Sequence, residues 1–295
     1  MYKYSNIAIV LSFFCLWLIS FISVNAEIIL GFSFIFSFGI LHGANDLQLI
    51  QQLNLKQNKI SVKKTLIYYT FIVLTGVLLF YYLPFVALLI FIIISGYHFG
   101  EQQWQSLANF DKKWFSICFQ FVYGTFILFL LFNFHQLEVQ NIILEITTVN
   151  IPTFYIVLLL KVFGIALLLQ ILYLYIYIKS LRREIILEVF HLLVFSILFM
   201  SSNLIWGFTI YFIVWHSIPS ILDQIKFLHL DVSFKNFKLY FKSGFLYWIA
   251  SLIGIAGLYF IFKDEKIFNA LFFSFLAAIT FPHFLVILKM FDRKE

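Results

Sequence analysis

Long apolar runs, interrupted at short intervals by small clusters of charge, occupy nearly the whole chain. Ten of them lie at roughly 6–24, 28–50, 65–83, 84–104, 115–134, 154–178, 185–201, 205–225, 244–262 and 267–289. Most approach the roughly 20 residues that an α-helix needs to cross a hydrocarbon core about 30 Å thick. None shows the alternating polarity, in segments of about ten residues, that would mark a membrane β-barrel. The breaks are short. Asn25-Ala26-Glu27 and the Leu83-Pro84 junction predict antiparallel hairpins, and Pro84 and Pro152 stand at or just before helix starts, where a missing N–H does no harm. The predicted fold is all-α: a polytopic integral membrane helical bundle of about ten transmembrane helices, one domain over residues 1–295.

The basic residues test this count, because cytoplasmic loops of membrane proteins collect Lys and Arg. With the N-terminus in the cytoplasm, 17 of the 20 basic residues fall on the cytoplasmic side: Lys3 and the clusters at 56–64, 112–113, 179–183, 226–242 and 289–294. Lys263 and Lys266 fall outside, and Lys161 lies within a span, where its stem allows it to snorkel toward the outer interface or to line a cavity. A wrong count would scramble this asymmetry, so both termini are placed in the cytoplasm and the protein in the cell (inner) membrane as a multi-pass chain. Val24-Asn25-Ala26 before Glu27 resembles a signal-peptidase site. The preceding apolar stretch is long for a signal peptide, and it is read as a retained helix.

Composition agrees. Hydrophobic residues make up 63% of the chain and charged residues 12%, against about 25% charged in soluble domains. The net charge of +6 resides in short loops between spans, so it sets orientation and does not imply nucleic-acid binding. Cys15 and Cys118 both fall in apolar segments and read as packing residues. The 41 phenylalanines are mostly lipid-facing filler, with an aromatic wall around an apolar ligand as the sharper alternative.

Five histidines stand inside these apolar runs: His42, His98, His216 and His283, on the second, fourth, eighth and tenth, share special neighbours, and His191, on the seventh at a similar depth, lacks them. The spans of the first four all run from outside to inside. These four histidines lie about 12 to 17 residues from each outer start, roughly 18–25 Å deep at 1.5 Å per residue. They therefore share one layer in the cytoplasmic half. A metal-binding or ionisable group inside hydrocarbon is costly and marks function. A single membrane histidine is often only a satisfied interhelical hydrogen bond. Four at one depth, with special neighbours, point to one metal site. Gly39 and Gly43 bracket His42, and Gly96 and Gly100 bracket His98, in small-xxx-small patterns that admit close helix approach. Pro219 follows His216 and Pro282 precedes His283, where proline opens the helical ladder.

Asp46, four residues after His42, and Glu101, three after His98, share a helix face with their histidines and are candidate carboxylate partners of the imidazoles. Asn45, Gln102, Ser217 and Gln224 are further candidates. Tyr97, Phe99, Trp215, Phe281 and Phe284 are the nearest aromatics to line a substrate wall. His191 lacks such neighbours and reads as structural; His135 and His229 fall in or near loops and read as solvated. Four imidazoles suit Fe, Cu, Zn or Ni by ligand type, and the paired i, i+4 histidines of membrane desaturase-type di-iron enzymes are absent.

The blocks His42-Gly43-Ala44-Asn45-Asp46, Tyr97-His98-Phe99-Gly100-Glu101, Trp215-His216-Ser217-Ile218-Pro219 and Pro282-His283 resemble the Brp/Blh family of bacterial and archaeal β-carotene 15,15'-dioxygenases. The likeness covers four blocks in order over nearly the full chain. It implies cleavage of β-carotene at its central double bond with O₂ to give two molecules of all-trans-retinal, with Fe(II) held by histidines. It also implies a possible hand-over of retinal to a microbial rhodopsin. Some members carry a further histidine where this chain has Ser220, so the fourth ligand is sought at His283. Two other classes remain open on the residues alone. A b-type electron carrier would need histidine pairs across a haem, usually in two layers. A proton-coupled transporter would use Asp46, Glu101 and the histidines as a relay.

Overall fold

The computed structural model describes residues 2–55, 62–107, 113–261 and 265–291. Lys56, Lys59, Lys112, Lys263, Arg293 and Lys294 of the charge pattern lie outside them. Among the described residues there is no strand. The helices are α1 (Tyr2–Ile19), α2 (Val24–Phe34), α3 (Asp46–Leu55), α4 (Val62–Tyr82), α5 (Pro84–Gln103), α6 (Lys113–Phe134) and α7 (Gln136–Thr147), followed by α8 (Thr153–Tyr177), α9 (Arg182–Met200), α10 (Leu204–Ile210), α11 (Ile218–His229), α12 (Phe234–Ile261) and α13 (Glu265–Phe291). Two π-helical stretches, Ile35–Gly39 and Tyr211–Ser217, continue α2 and α10. Among the described residues, six helical segments are long and apolar enough to cross a membrane: Lys63–Tyr82, Pro84–Gln103, Lys113–Phe134, Thr153–Tyr177, Leu204–His229 and Phe234–Gly257. Shorter apolar helices cover Tyr4–Ile19, Val24–Gly39 and Ser274–Met290.

Two departures from the sequence expectation matter. The predicted span at 28–50 is not one helix: the chain turns through His42–Asn45 and restarts as α3 at Asp46. The stretch after α6 is not loop but α7, whose Val139, Ile146 and Thr147 are buried. His135, at the α6–α7 junction, is half-buried rather than solvated, and burial pulls its pKa below the ordinary histidine value.

The chain divides into two compact units. The first comprises residues 1–34, 95–141 and 150–216. Here α6 packs on α8, α9 and α10, α2 on α10, and α1 on α9. Here α5 and α6 approach closely at their glycines. A Cβ on Gly100 would lie 1.7 Å from the Gln120 carbonyl oxygen, and one on Gly124 would lie 2.0 Å from that of Gly96. Only glycine permits these backbones to touch, so the Gly96/Gly100 bracket has the role that its spacing predicts.

The second unit comprises residues 35–94, 142–149 and 217–295. Here α13 packs on α3, α4 and α12, and α11 on α3 and α12. One apolar cluster gathers Phe80, Ala87, Leu88, Ile146, Ala277 and Phe281. Another gathers Leu41, Ala44, Ile221, Ile225 and Tyr240 beneath the turn that follows the first π stretch. Gly39 and Gly43 bracket this break instead of forming a helix-contact stripe: Gly43 sits in the turn, its Cβ position 3.6 Å from His283 Nδ1.

Candidate metal centre

In the second unit, His42 lies in the turn between the π stretch and α3, and His283 lies on α13 directly after Pro282. Both are buried. Their rings meet at right angles with centroids 4.6 Å apart. His283 donates from Nδ1 to Asp46 Oδ1 at 2.8 Å. The other carboxylate oxygen, Oδ2, accepts the Tyr69 hydroxyl at 3.0 Å. Asp46 is the first residue of α3, where a helix favours negative charge. The i, i+4 spacing assigned this carboxylate to His42. The turn at residues 42–45, which interrupts the helix, directs it toward His283 instead, and His42 Nδ1 bonds the Gly39 carbonyl. With Nδ1 occupied as donor, the neutral form of each ring carries its lone pair on Nε2.

The turn itself is braced. Gln224 donates to the His42 carbonyl at 2.8 Å, and Tyr240 donates to the Gln224 side-chain oxygen at 2.8 Å. Asn45 donates to the Tyr240 carbonyl at 3.0 Å and accepts from Ser243 at 2.6 Å. Asn45 and Gln224 thus hold the backbone around His42 and not an imidazole, while Ser217 Oγ reaches His42 Nδ1 at 3.5 Å. Tyr69, Tyr240 and Ser243 carry no sequence signal, because each meets the turn from a distant helix. Ser220 accepts a hydrogen bond from Gln224 at 3.1 Å.

In the first unit, His98 on α5 and His216 in the π stretch are both buried. Their centroids lie 4.7 Å apart at 79°. Phe99 meets His216 edge-on at 4.7 Å. Phe212, one turn earlier, stacks on His216 at 5.7 Å and 16°. Pro219 sits in the first turn of α11, directly after the π stretch. The π geometry, frequent at functional sites, is therefore the local irregularity that presents His216. Glu101 is buried one turn beyond His98. Gln102 is buried and its amide makes no hydrogen bond among the described residues.

Tyr97 and Phe284 are half-buried. Phe281 packs from α13 against Gly76 of α4. Trp215 is buried against His191 and Phe195, with centroids at 4.9 and 4.8 Å, and its indole N–H donates to Ser12 at 2.9 Å. It is committed to packing within the first unit. His191 itself donates to Glu188 at 3.2 Å. Lys161 is exposed on α8, and Cys15 and Cys118 are free thiols.

The ring geometry permits a direct test of fit to a metal. A metal–imidazole bond of about 2.1 Å places the ring centre about 3.2 Å from the ion, so two imidazoles whose bonds to one ion stand at 90° have ring centres about 4.5 Å apart, whatever the angle between the ring planes. Each pair meets that separation, at 4.6 and 4.7 Å. Imidazoles whose second nitrogen is held by a carboxylate or a backbone carbonyl, as at His283 and His42, are the usual form of a metal-ligating histidine.

A family model for beta-carotene 15,15'-dioxygenase matches residues 33–291, a stretch that contains all four histidine blocks. The chain belongs to the beta-carotene 15,15'-dioxygenase family. No curated protein and no solved structure matches it.

Proposed function

We propose that this chain is an iron-dependent dioxygenase that cleaves β-carotene at its central 15,15' double bond with O₂, giving two all-trans-retinal that supply a rhodopsin chromophore. The observation that carries this reading is the family match together with two buried imidazole pairs at the spacing of adjacent ligands on one ion. His42, His98, His216 and His283 would together hold a single Fe(II). When bound, the iron would supply a site for O₂ activation beside the polyene. The protein's own residues do the rest. Asp46 and the Gly39 carbonyl orient His283 and His42. Phe99 and Phe212 enclose His216 and exclude water from the site's apolar side. The apolar surround must hold a rigid, uncharged polyene in one register, so that catalysis depends on positioning.

The topology proposed is ten spans with both termini in the cytoplasm of a cell (inner) membrane, which keeps a lipid-soluble substrate and product within the bilayer. The deciding experiment is expression in a β-carotene-producing bacterium with pigment extraction. Loss of carotene with stoichiometric appearance of retinal supports the reading. Unchanged carotene in cells that hold the folded, iron-loaded protein overturns it.

A further inference from the structure

The first unit contains a second buried polar cluster, centred on Glu188 of α9. This carboxylate is 5% exposed. Gln103 Nε2 donates to both its oxygens at 2.9 Å, the Tyr123 hydroxyl donates to Oε2 at 2.7 Å, and His191 Nδ1 donates to Oε1 at 3.2 Å. The donors come from α5, α6 and α9. A carboxylate buried in an apolar bundle is expensive unless each oxygen is satisfied, and here both are.

Two of these donors lead to the candidate ligands. Gln103 is the last residue of α5, five positions beyond His98. The His191 ring packs at 62° on the Trp215 indole, and Trp215 directly precedes His216 in the π stretch. The indole is itself fixed at its far end by Ser12. A π stretch is a rare local irregularity in a helix, and here Trp215 within it is held from outside, by the His191 ring and by Ser12. One carboxylate is therefore the common acceptor for the end of the His98 helix and, through His191 and Trp215, for the segment that carries His216.

We propose that Glu188 is a positioning residue for the metal centre, holding His98 and His216 in mutual register through Gln103 and His191. The proposal rests on the four-histidine reading above. It differs from a purely structural role in what it predicts. A structural knot, when loosened, lowers the thermal stability of the metal-free protein and leaves the metal affinity of the folded fraction unchanged. A positioning knot changes the affinity and the ligand field.

The test is Co(II) titration of the purified full chain, read by ligand-field absorption, with thermal unfolding of the metal-free protein in parallel. Glu188→Gln, Gln103→Met and His191→Phe are each expected to raise the Co(II) Kd about tenfold, the lower end of what outer-shell partners of metal ligands control, and to shift the absorption band. In a Glu188→Gln background, Gln103→Met and His191→Phe are expected to add little, because both act through the same carboxylate. If Glu188→Gln does not fold, the two single donor variants and Tyr123→Phe, which keeps its ring, decide the question. Wild-type Kd and spectrum in folded variants overturn the proposal alone, whereas a wild-type band in His98→Ala overturns the four-histidine reading and the proposal with it. Absence of Co(II) binding by the wild-type chain overturns the four-histidine reading, and the proposal with it.

Discussion

His283 and Asp46 are separated by 237 positions in the chain and by 2.8 Å in space. Asp46 opens α3 and His283 lies within α13, so this hydrogen bond ties the restart of a broken helix to a proline-bearing one. The carboxylate thereby holds the His283 ring by Nδ1, and Tyr69 holds the carboxylate in turn.

Asp46→Asn is therefore expected to leave the protein folded and to lower metal affinity or turnover by roughly 10–100-fold, the range typical of lost outer-shell partners. Tyr69→Phe removes only the outer hydroxyl, and its effect is expected to be smaller and in the same direction. Glu101→Gln is expected to act within the same range. Iron content and steady-state retinal formation are the measurements. Wild-type values for both carboxylate variants would assign Asp46 and Glu101 to helix packing.

Replacing His42, His98, His216 or His283 with Ala is expected to abolish retinal formation with iron lost or much reduced. The basis is the pairing of the rings at 4.6 and 4.7 Å. His191→Ala is expected to keep measurable turnover, since its Nδ1 is engaged with Glu188. Full activity in any one of the four variants would remove that residue from the ligand set.

Much of this was legible in the sequence because membrane helices announce themselves by length and apolarity, and because histidine is conspicuous in such runs. The Gly96/Gly100 pattern correctly foretold a backbone contact, with Gln120 and Gly124 opposite. The i, i+4 rule failed at Asp46 because it presumes an unbroken helix, and residues 42–45 form a turn. A π stretch such as Tyr211–Ser217 leaves no signature in apolarity, since it changes the ladder and not the residue types. Glu188 and Tyr69 carry no signal in the sequence, because the partners that define them, Gln103 and Tyr123 for the one and Asp46 for the other, lie on other helices.

The α5–α6 contact yields a stability prediction. Gly100→Ala and Gly124→Ala would each force a methyl group against backbone at 1.7 and 2.0 Å, well beyond the overpacking that costs about 1–3 kcal/mol in ordinary cores. Both are expected to reduce the yield of monodisperse protein on size exclusion sharply. Gly257→Ala, with nothing among the described residues within 4 Å of its Cβ position, is expected to be tolerated. Equal behaviour of all three would mean that α5 and α6 do not meet as closely as described.

Access of the substrate sets the last prediction. The proposed metal layer lies in the cytoplasmic half of the bilayer, whereas a carotene spanning the membrane symmetrically has its central double bond near the midplane. Central cleavage then requires the polyene to shift, tilt or curve within the bundle. An apolar tunnel opening sideways to lipid is expected, lined by aromatics on the histidine-bearing segments. Phe99 and Phe212 are best placed for this, since their rings touch His216. Trp215 is turned toward His191 and Ser12 and is expected to affect ligand position instead. Phe212→Ala and Phe99→Leu are thus expected to slow cleavage or to move it to a neighbouring double bond. Chromatography would then show unequal apocarotenals, at unchanged iron content. Trp215→Phe is expected to lower iron content while leaving the products symmetric. A carotene-bound structure whose metal is reached only from water, with no opening to lipid, would defeat this route and weaken the carotene assignment with it.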